Sequence, residues 1–273
     1  MAQLVIFTDI DGTLIDFESY SYAETAATVA AVVQQGIPLI LCSSKTRAEQ
    51  AVLRQALAIP DPFIVENGSA IFWPTNDDRP ATNARWSFVD GRSSPIELGV
   101  PAATIRAALT AVRQEHGLSF QGYGDLTAAE VAAITGLDEA AAARARQREY
   151  SETIVTPLAS ETLAQLETAL AAQELTIVSG GKFHTVMGSG ADKGKAVARL
   201  INFYRQEYGD VVTIGLGDSA NDAPLLAAVD HGYLLQKPGG VWQEIDIEGV
   251  ERVAAVGPVG WRLVVEGRLK KVP

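Results

Sequence analysis

The sequence is short of cysteine, of basic charge and of long apolar runs. Cys42 is the only cysteine among 273 residues, which excludes an internal disulfide and a cysteine-built zinc site and leaves the thiol a small core residue. Lys and Arg number 22 against 33 Asp and Glu, a formal net charge of −11. That balance opposes the polyphosphate backbone of nucleic acids, and no Lys/Arg cluster supplies a local exception. No apolar run approaches the length that spans a bilayer. The N-terminus lacks a basic segment, and Asp9 and Asp11 interrupt its apolar stretch, so no leader is expected and the chain is read as cytoplasmic. There is no G-x-S-x-G elbow for a serine hydrolase. Gly188 and Gly194 stand one residue too far apart for a P-loop, and Ala196 occupies its Ser/Thr position.

What is present describes a globular protein, with 47% hydrophobic and 20% charged residues, long enough for one large or two modest domains. Two are expected. "LVIFTD" reads as a buried strand, "SYAETAATVAAVVQQG" as a helix ending at Gly36, and "IPLILC" as a second buried strand. "TRAEQAVLRQAL" is a helix with Thr46 and Glu49 placed as a capping box, and "FIVENGSAIFW" carries a hairpin signal at Asn67-Gly68. Such alternation predicts a parallel sheet covered by helices. Turn formers dominate "PTNDDRPATNARW", marking a boundary. Beyond it, helices are expected in "VPAATIRAALTAVRQEHG", in "LTAAEVAAITG" with a Thr127/Glu130 capping box, and in "LDEAAAARARQREY". Strands are expected in "SETIVT" and "LTIVSGGKFHTVMG". The first pattern then returns with "DKGKAVARLINFYRQEYG", "DVVTIGLGD" and "NDAPLLAAVD", so residues 84–188 form an α+β insertion in one α/β domain.

The polar residues collect where an open α/β sheet binds ligands, beyond the carboxyl ends of its strands. Asp9 and Asp11, two apart on one strand face, would lie roughly 6 to 7 Å from each other. Their repulsion is then about 2 to 3 kcal/mol, and a divalent cation between hard oxygen ligands would offset it. Asp218 and Asp222 in "GLGDSANDAPLL" reach the same edge, and capping alone accounts for only one of them. Lys193 and Lys195 open a helix, where the macrodipole disfavours cations; a phosphate would explain Lys193, whereas Lys195 reads as a solvated surface residue. Ser43 and Ser44 precede Lys45 and Arg47, a loop that suits an anion. His116 and His231 adjoin glycines at expected helix ends. His184 either packs or faces a ligand.

In this order the segments resemble the haloacid dehalogenase (HAD) superfamily of phosphatases. "DIDGTL", the Ser43 loop, "DKGKA" and "GDSANDAPLL" agree with its four motifs in sequence and spacing, over nearly the whole chain. The resemblance implies a Rossmann-like, doubly wound parallel sheet core of residues 1–83 and 189–273, with residues 84–188 as an inserted α+β cap of the type IIB, Cof-like branch. It implies Asp9 as nucleophile and Asp11 as general acid/base. Mg²⁺ would be held by the side chains of Asp9 and Asp218 and the carbonyl of Asp11, with Asp222 supporting the metal, and Ser43, Lys193 and Asn221 would bind the phosphoryl group.

Within that superfamily "CSSKTRAE", "ENGSAIF", "REYSE" and "DKGKAV" are similar to the branch that dephosphorylates mannosyl-3-phosphoglycerate. This implies a phosphorylated sugar-glycerate as the small-molecule partner and mannosylglycerate, a compatible solute, as product, with the glucosyl analogue as nearest alternative. On that reading Lys45, Arg47, Asn67, Gly68, Arg148, Ser151, Glu152, Lys182 and His184 contact the glycerate carboxylate or the sugar. Thr153 stands where the family pattern has Pro, a departure that bears on the sugar more than on the reaction. A phosphomannomutase-like transferase and an idle sugar-phosphate sensor are the readings from other classes. The intact acids argue against the sensor.

Overall fold

The computed structural model describes residues 2–74, 94–180 and 183–270. Along the chain come β1 (Gln3–Thr8), α1 (Ala26–Gln34), β2 (Leu39–Leu41), α2 (Arg47–Ala56), β3 (Phe63–Val65) and β4 (Ala70–Phe72). Next are β5 (Ile96–Glu97), α3 (Ala102–His116), α4 (Ala128–Thr135), α5 (Glu139–Ala145), β6 (Ser151–Ile154), α6 (Ser160–Ala171), β7 (Leu175–Gly180) and β8 (Phe183–Gly188). Last are α7 (Lys193–Tyr208), β9 (Val211–Gly217), α8 (Ala223–Ala228), β10 (His231–Gln236), β11 (Glu251–Val256) and α9 (Gly257–Leu269).

β1 is apolar from Leu4 to Phe7, so it needs cover on both faces. Leu4 and Ile6 pack with Val29 and Val32 of α1 and with Trp261 and Val265 of α9, while Val5 and Phe7 pack with Val197 and Leu200 of α7 and with Leu225 and Leu226 of α8. The result is a five-stranded parallel sheet in the order β11-β10-β9-β1-β2. From β1 the chain moves to β2 on one side and later returns to β9 on the other. The order therefore reverses between β1 and β9, and the crevice beyond their carboxyl ends is the natural ligand site of such a sheet.

Between the two runs of core elements lies a second, antiparallel sheet in the order β6-β8-β7. One of its faces packs Ile154 and Val186 against Ile105 and Leu109 of α3 and Leu166 and Leu170 of α6. α4 and α5 close a smaller cluster around Tyr123, Leu126, Val131 and Ala142. β8 ends at Gly188, and the boundary expected at residues 83 and 84 lies outside the described residues.

Both expected capping boxes are present, at Thr46/Glu49 and Thr127/Glu130. Three expectations are corrected. α1 starts at Ala26 rather than near Ser21, because Ser21 Oγ accepts from the Ala23 amide and Thr25 Oγ1 donates to the Tyr22 carbonyl, local bonds that compete with helix. α5 stops at Ala145 although the Ala-rich pattern continues to Tyr150. The amides of Glu149 and Tyr150 have instead found a side-chain acceptor in the core, Glu66, and tertiary bonding overrides helix propensity there. His231 opens β10 rather than ending a helix.

The hairpin has β3 opposite β4, with Phe63 facing Phe72 and Val65 facing Ala70. Its tip strings three left-handed residues together, Glu66, Asn67 and Gly68, at φ of 48°, 59° and 94°. At Gly68 a side chain is also excluded by space, since a Cβ would lie 2.1 Å from the carbonyl oxygen of Asp192, the N-cap of α7. Gly68→Ala is therefore expected to lower the unfolding free energy by about 2 kcal/mol or more. Denaturant unfolding of the two proteins measures this, and an unchanged midpoint would contradict the close approach.

Candidate active site

β1 ends at Thr8 and β9 at Gly217, so Asp9 and Asp218 are the first residues past adjacent strand ends. Thr8 Oγ1 donates to the Asp9 carbonyl at 2.7 Å and accepts from Trp261 Nε1 at 3.0 Å, which secures the turn. Asp222 lies in the turn before α8. A Cβ on Gly217 would stand 2.5 Å from Asp222 Cβ, so the bare glycine lets that turn fold back on the strand. Carboxylate oxygens of Asp9, Asp218 and Asp222 lie within 4.8 Å of one another, and all three residues are buried.

Lys193, buried at the first turn of α7, reaches into this cluster. Its Nζ donates to Asp9 Oδ1 at 2.6 Å and to Asp222 Oδ1 at 2.6 Å. Asp222 Oδ2 accepts the amides of Asp218 at 3.0 Å and Ser219 at 2.9 Å. Both oxygens of Asp222 are thus engaged in holding other parts of the site. Thr13 Oγ1 donates to Asp218 Oδ1 at 3.4 Å.

One ammonium against three carboxylates leaves the cluster short of positive charge. Burial, and then the charge of Asp222, pushes Asp9 well above the usual carboxylate range in spite of Lys193. The same two causes push Asp218 up to about 6, against the opposing charge of Lys237. Burial alone would lower Lys193, but Asp222 and Asp9 raise it, so it stays an ammonium. The residues fit a hard divalent cation such as Mg²⁺: oxygen donors, buried, with net negative charge. Asp9 and Asp218 would supply side-chain oxygens, and Asp222 would orient its neighbours.

Asp11 stands apart. The strand has ended before it, so the face-sharing geometry expected for residues two apart does not apply. Its Oδ2 lies 3.1 Å from Lys45 Nζ, and its Oδ1 is buried without a hydrogen-bond partner. Burial raises its pKa, and the charge of Lys45 only partly opposes that. Asp9 and Asp11 therefore face different environments, one against Lys193 and the acid cluster, the other against Lys45.

Ser43 is buried after β2; its carbonyl accepts from the Asn67 amide at 3.0 Å and its Oγ from the Lys45 amide at 3.3 Å. Asn221 Nδ2 donates to Asn67 Oδ1 at 3.0 Å. The loop after β2, the hairpin tip and the turn before α8 are thereby tied together at the same edge. The inserted unit lies against it. Arg148 Nη1 donates to the carbonyl of Ser44 and to Ser151 Oγ, both at 3.1 Å, and Arg47 pairs with Glu149 at 3.0 Å.

Two of the expected contact residues stand on the face of the second sheet that carries its apolar packing. Glu152 and His184 sit opposite Val186 and Ile154 in the second sheet, and residues opposed across a sheet share a face. That face packs on α3 and α6, and the Glu152 carboxylate is taken by Arg106 of α3 and the Gly124 amide. His184 Nδ1 meets Ser179 Oγ at 3.0 Å. Ser151 is on the opposite face. Lys182 lies outside the described residues. Lys195 is exposed beside Asp192, as a surface residue should be. Thr8, Thr13, Trp261 and Glu66 were not singled out from the sequence. The last of these opens "ENGSAIF", beside the Asn-Gly signal, but nothing local marks its carboxylate as an acceptor.

With this geometry in view, likenesses to known proteins become informative. A family model described as haloacid dehalogenase-like hydrolase matches residues 6–85 and 138–237. A curated relative from Methanococcoides burtonii, named glucosyl-3-phosphoglycerate/mannosyl-3-phosphoglycerate phosphatase, is 41% identical over 258 residues, 94% of each chain. One of the same name from Persephonella marina is 32% identical over 259 residues, again 94% of each. A solved sugar phosphatase of HAD subclass IIB aligns with a TM-score of 0.62 at 15% identity, covering 98% of this chain and 99% of its own. At that identity the likeness speaks for the fold, a parallel α/β core with a cap. No helix among the described residues is long and apolar enough to cross a membrane.

Two outcomes are expected of this cluster. Lys193→Met leaves buried carboxylates unpaired and should cost about 3–5 kcal/mol of stability, measured by chemical unfolding in EDTA. The second concerns pH. A carboxyl with a raised pKa binds its proton more tightly in the folded than in the unfolded chain, so its contribution is largest below the unfolded value and is lost as pH rises through the folded one. In EDTA, melting temperature should therefore fall as pH rises through about 6, the value for Asp218. Mg²⁺ should restore it more at about pH 7.5 than at about pH 5, because ligation needs deprotonated oxygens. Equal Mg²⁺ shifts at the two pH values would contradict this.

Proposed function

Because the chain belongs to the haloacid dehalogenase-like hydrolases and is a phosphatase, we propose that it removes the phosphoryl group from mannosyl-3-phosphoglycerate and glucosyl-3-phosphoglycerate. The products are the glycosylglycerate, a compatible solute, and inorganic phosphate. The observation that carries this reading is the 41% identity, along 94% of both chains, to a relative named for those two substrates. We place the activity in the cytoplasm, in keeping with a single buried cysteine.

The separate settings of the two acids support a division of labour. Asp9, held by Lys193 at 2.6 Å, attacks phosphorus in line, and the bond from phosphorus to the glycerate oxygen breaks as an aspartyl-phosphate forms. The side chains of Asp9 and Asp218 and the carbonyl of Asp11 would hold Mg²⁺, which when bound would supply charge that lowers repulsion between the nucleophile and the phosphoryl oxygens. Asp11, with its raised pKa and unpartnered Oδ1, gives a proton to the departing alkoxide and then takes one from the water that hydrolyses the intermediate. Lys193, the Ser43 hydroxyl and the Asn221 amide stabilise the transferring group.

Residues 84–188 act in this reading as the cap over residues 1–83 and 189–273. Arg47, Arg148 and Ser151 make contacts between it and the core, and Lys45, Asn67 and Gly68 stand in the adjoining core loops. We assign these residues to hold the glycerate carboxylate and sugar. Closure excludes water from the reacting centre.

Phosphate release from both glycosides, with Mg²⁺ or EDTA, tests the proposal. Wild type should release phosphate from each only with Mg²⁺, and Asp9→Asn should lose on the order of 10⁴-fold or more in kcat. Release from neither compound would overturn the substrate assignment, and phosphoryl transfer to a sugar acceptor without net release would favour a mutase.

A further inference from the structure

We propose that Glu66 is the latch that holds the cap closed on the core, a positioning residue for substrates that fill the space beneath the cap. Glu66 is fully buried at the tip of the β3–β4 hairpin. Its φ of 48° lies in the left-handed region, which a residue with a side chain keeps only when its surroundings demand it. Its carboxylate supplies the demand. Oε1 accepts the amide of Glu149 at 2.8 Å, and Oε2 accepts the amide of Tyr150 at 3.1 Å and the hydroxyl of Ser151. All three donors belong to the cap, Glu149 and Tyr150 in the segment where α5 was expected to continue and Ser151 at the start of β6. Two acceptor oxygens meet three donors, an arrangement that exists only while cap and core are in contact.

The same turn also grips the catalytic edge. The Glu66 amide donates to the Lys45 carbonyl at 3.1 Å, the Asn67 amide to the Ser43 carbonyl at 3.0 Å, and Asn67 Oδ1 accepts from Asn221 at 3.0 Å. Lys45 in turn pairs with Asp11 at 3.1 Å. The hairpin tip thus joins the cap to the loop after β2 and to the turn before α8. Arg148 Nη1 adds one bond across the seam, to the Ser44 carbonyl at 3.1 Å, against the three that Glu66 accepts, and the remaining side-chain contacts are weaker in kind. The Arg47–Glu149 pair is 55% and 36% exposed, a setting in which ion pairs contribute little, and Thr46 makes one neutral hydrogen bond, to the Arg144 carbonyl at 3.0 Å. A leaving group as large as a glycosylglycerate needs the cap held over it, whereas a small aryl phosphate needs only the core.

This inference rests on the reading of the enzyme as acting on a sugar-phosphoglycerate under a closed cap, and its test separates the two. Glu66→Gln keeps the size of the side chain but turns an –NH₂ group toward an N–H or O–H donor. In full-length protein, hydrogen exchange at the amides of Glu149 and Tyr150 should accelerate in the variant, while amides of β1 and β9 stay as protected as in wild type. In kinetics, kcat/KM for the glycosyl phosphoglycerate should fall about 10- to 100-fold, chiefly through KM, with p-nitrophenyl phosphate turnover kept within about twofold. Glu66→Asp, which retains the charge, should fall between, and it carries the same two measurements if the Gln variant does not fold. Unchanged exchange at residues 149 and 150, or an equal loss on both substrates, would overturn the latch. If wild type acts on neither glycoside, the substrate reading fails alone, and the exchange measurement still decides on Glu66.

Discussion

The ammonium of Lys193, set between Asp9 and Asp222, is the contact on which the site depends. It is a cation in the first turn of a helix, where the backbone dipole opposes it, and it is almost without water. Both costs are offset because the carboxylates it meets come from different elements, one after β1 and one before α8. A single buried charge therefore draws together one strand end and two helix starts. Close approach makes this feasible: a Cβ on Gly194 would lie 2.4 Å from the carbonyl oxygen of Pro224, so α7 and α8 nearly touch beside the pair.

The remaining charge imbalance sets up the chemistry. Three acids and one ammonium make a buried site that favours a divalent cation, and burial together with the charge of Asp222 raises the pKa of Asp218. Asp11 escapes that cluster, because the strand ends before it and Lys45 holds it from another side. Two carboxylates two residues apart in sequence are thereby given different partners, the separation on which the proposed division of labour rests. The cap contributes none of these charges. It meets the core through Arg148 on the Ser44 carbonyl and residues 149–151 on Glu66.

Much of this was legible in the chain itself. Apolar runs without alternation identified buried parallel strands, and the acids beyond them identified the sheet edge, because position at a strand end follows from local pattern and topology. The capping boxes at Thr46 and Thr127 were legible for the same reason, since their hydrogen bonds close within four residues. The end of α5 was not. Its last turn is lost to the Glu66 carboxylate, more than eighty positions earlier, and no local pattern records that bond. The face taken by Glu152 and His184 was not legible either, because motif similarity carries no strand register and register decides which face a side chain takes.

The sequence by itself determined the elements, the parallel core and the set of acids at its edge, since these depend on short-range periodicity and on the order of strands. Only the tertiary structure decided that Lys193 bridges Asp9 and Asp222 and that Asp11 belongs to Lys45. It alone decided that Glu66 reaches across the seam. Those pairings join residues far apart in the chain, and their energies come from burial and distance, quantities that exist only once the chain has folded.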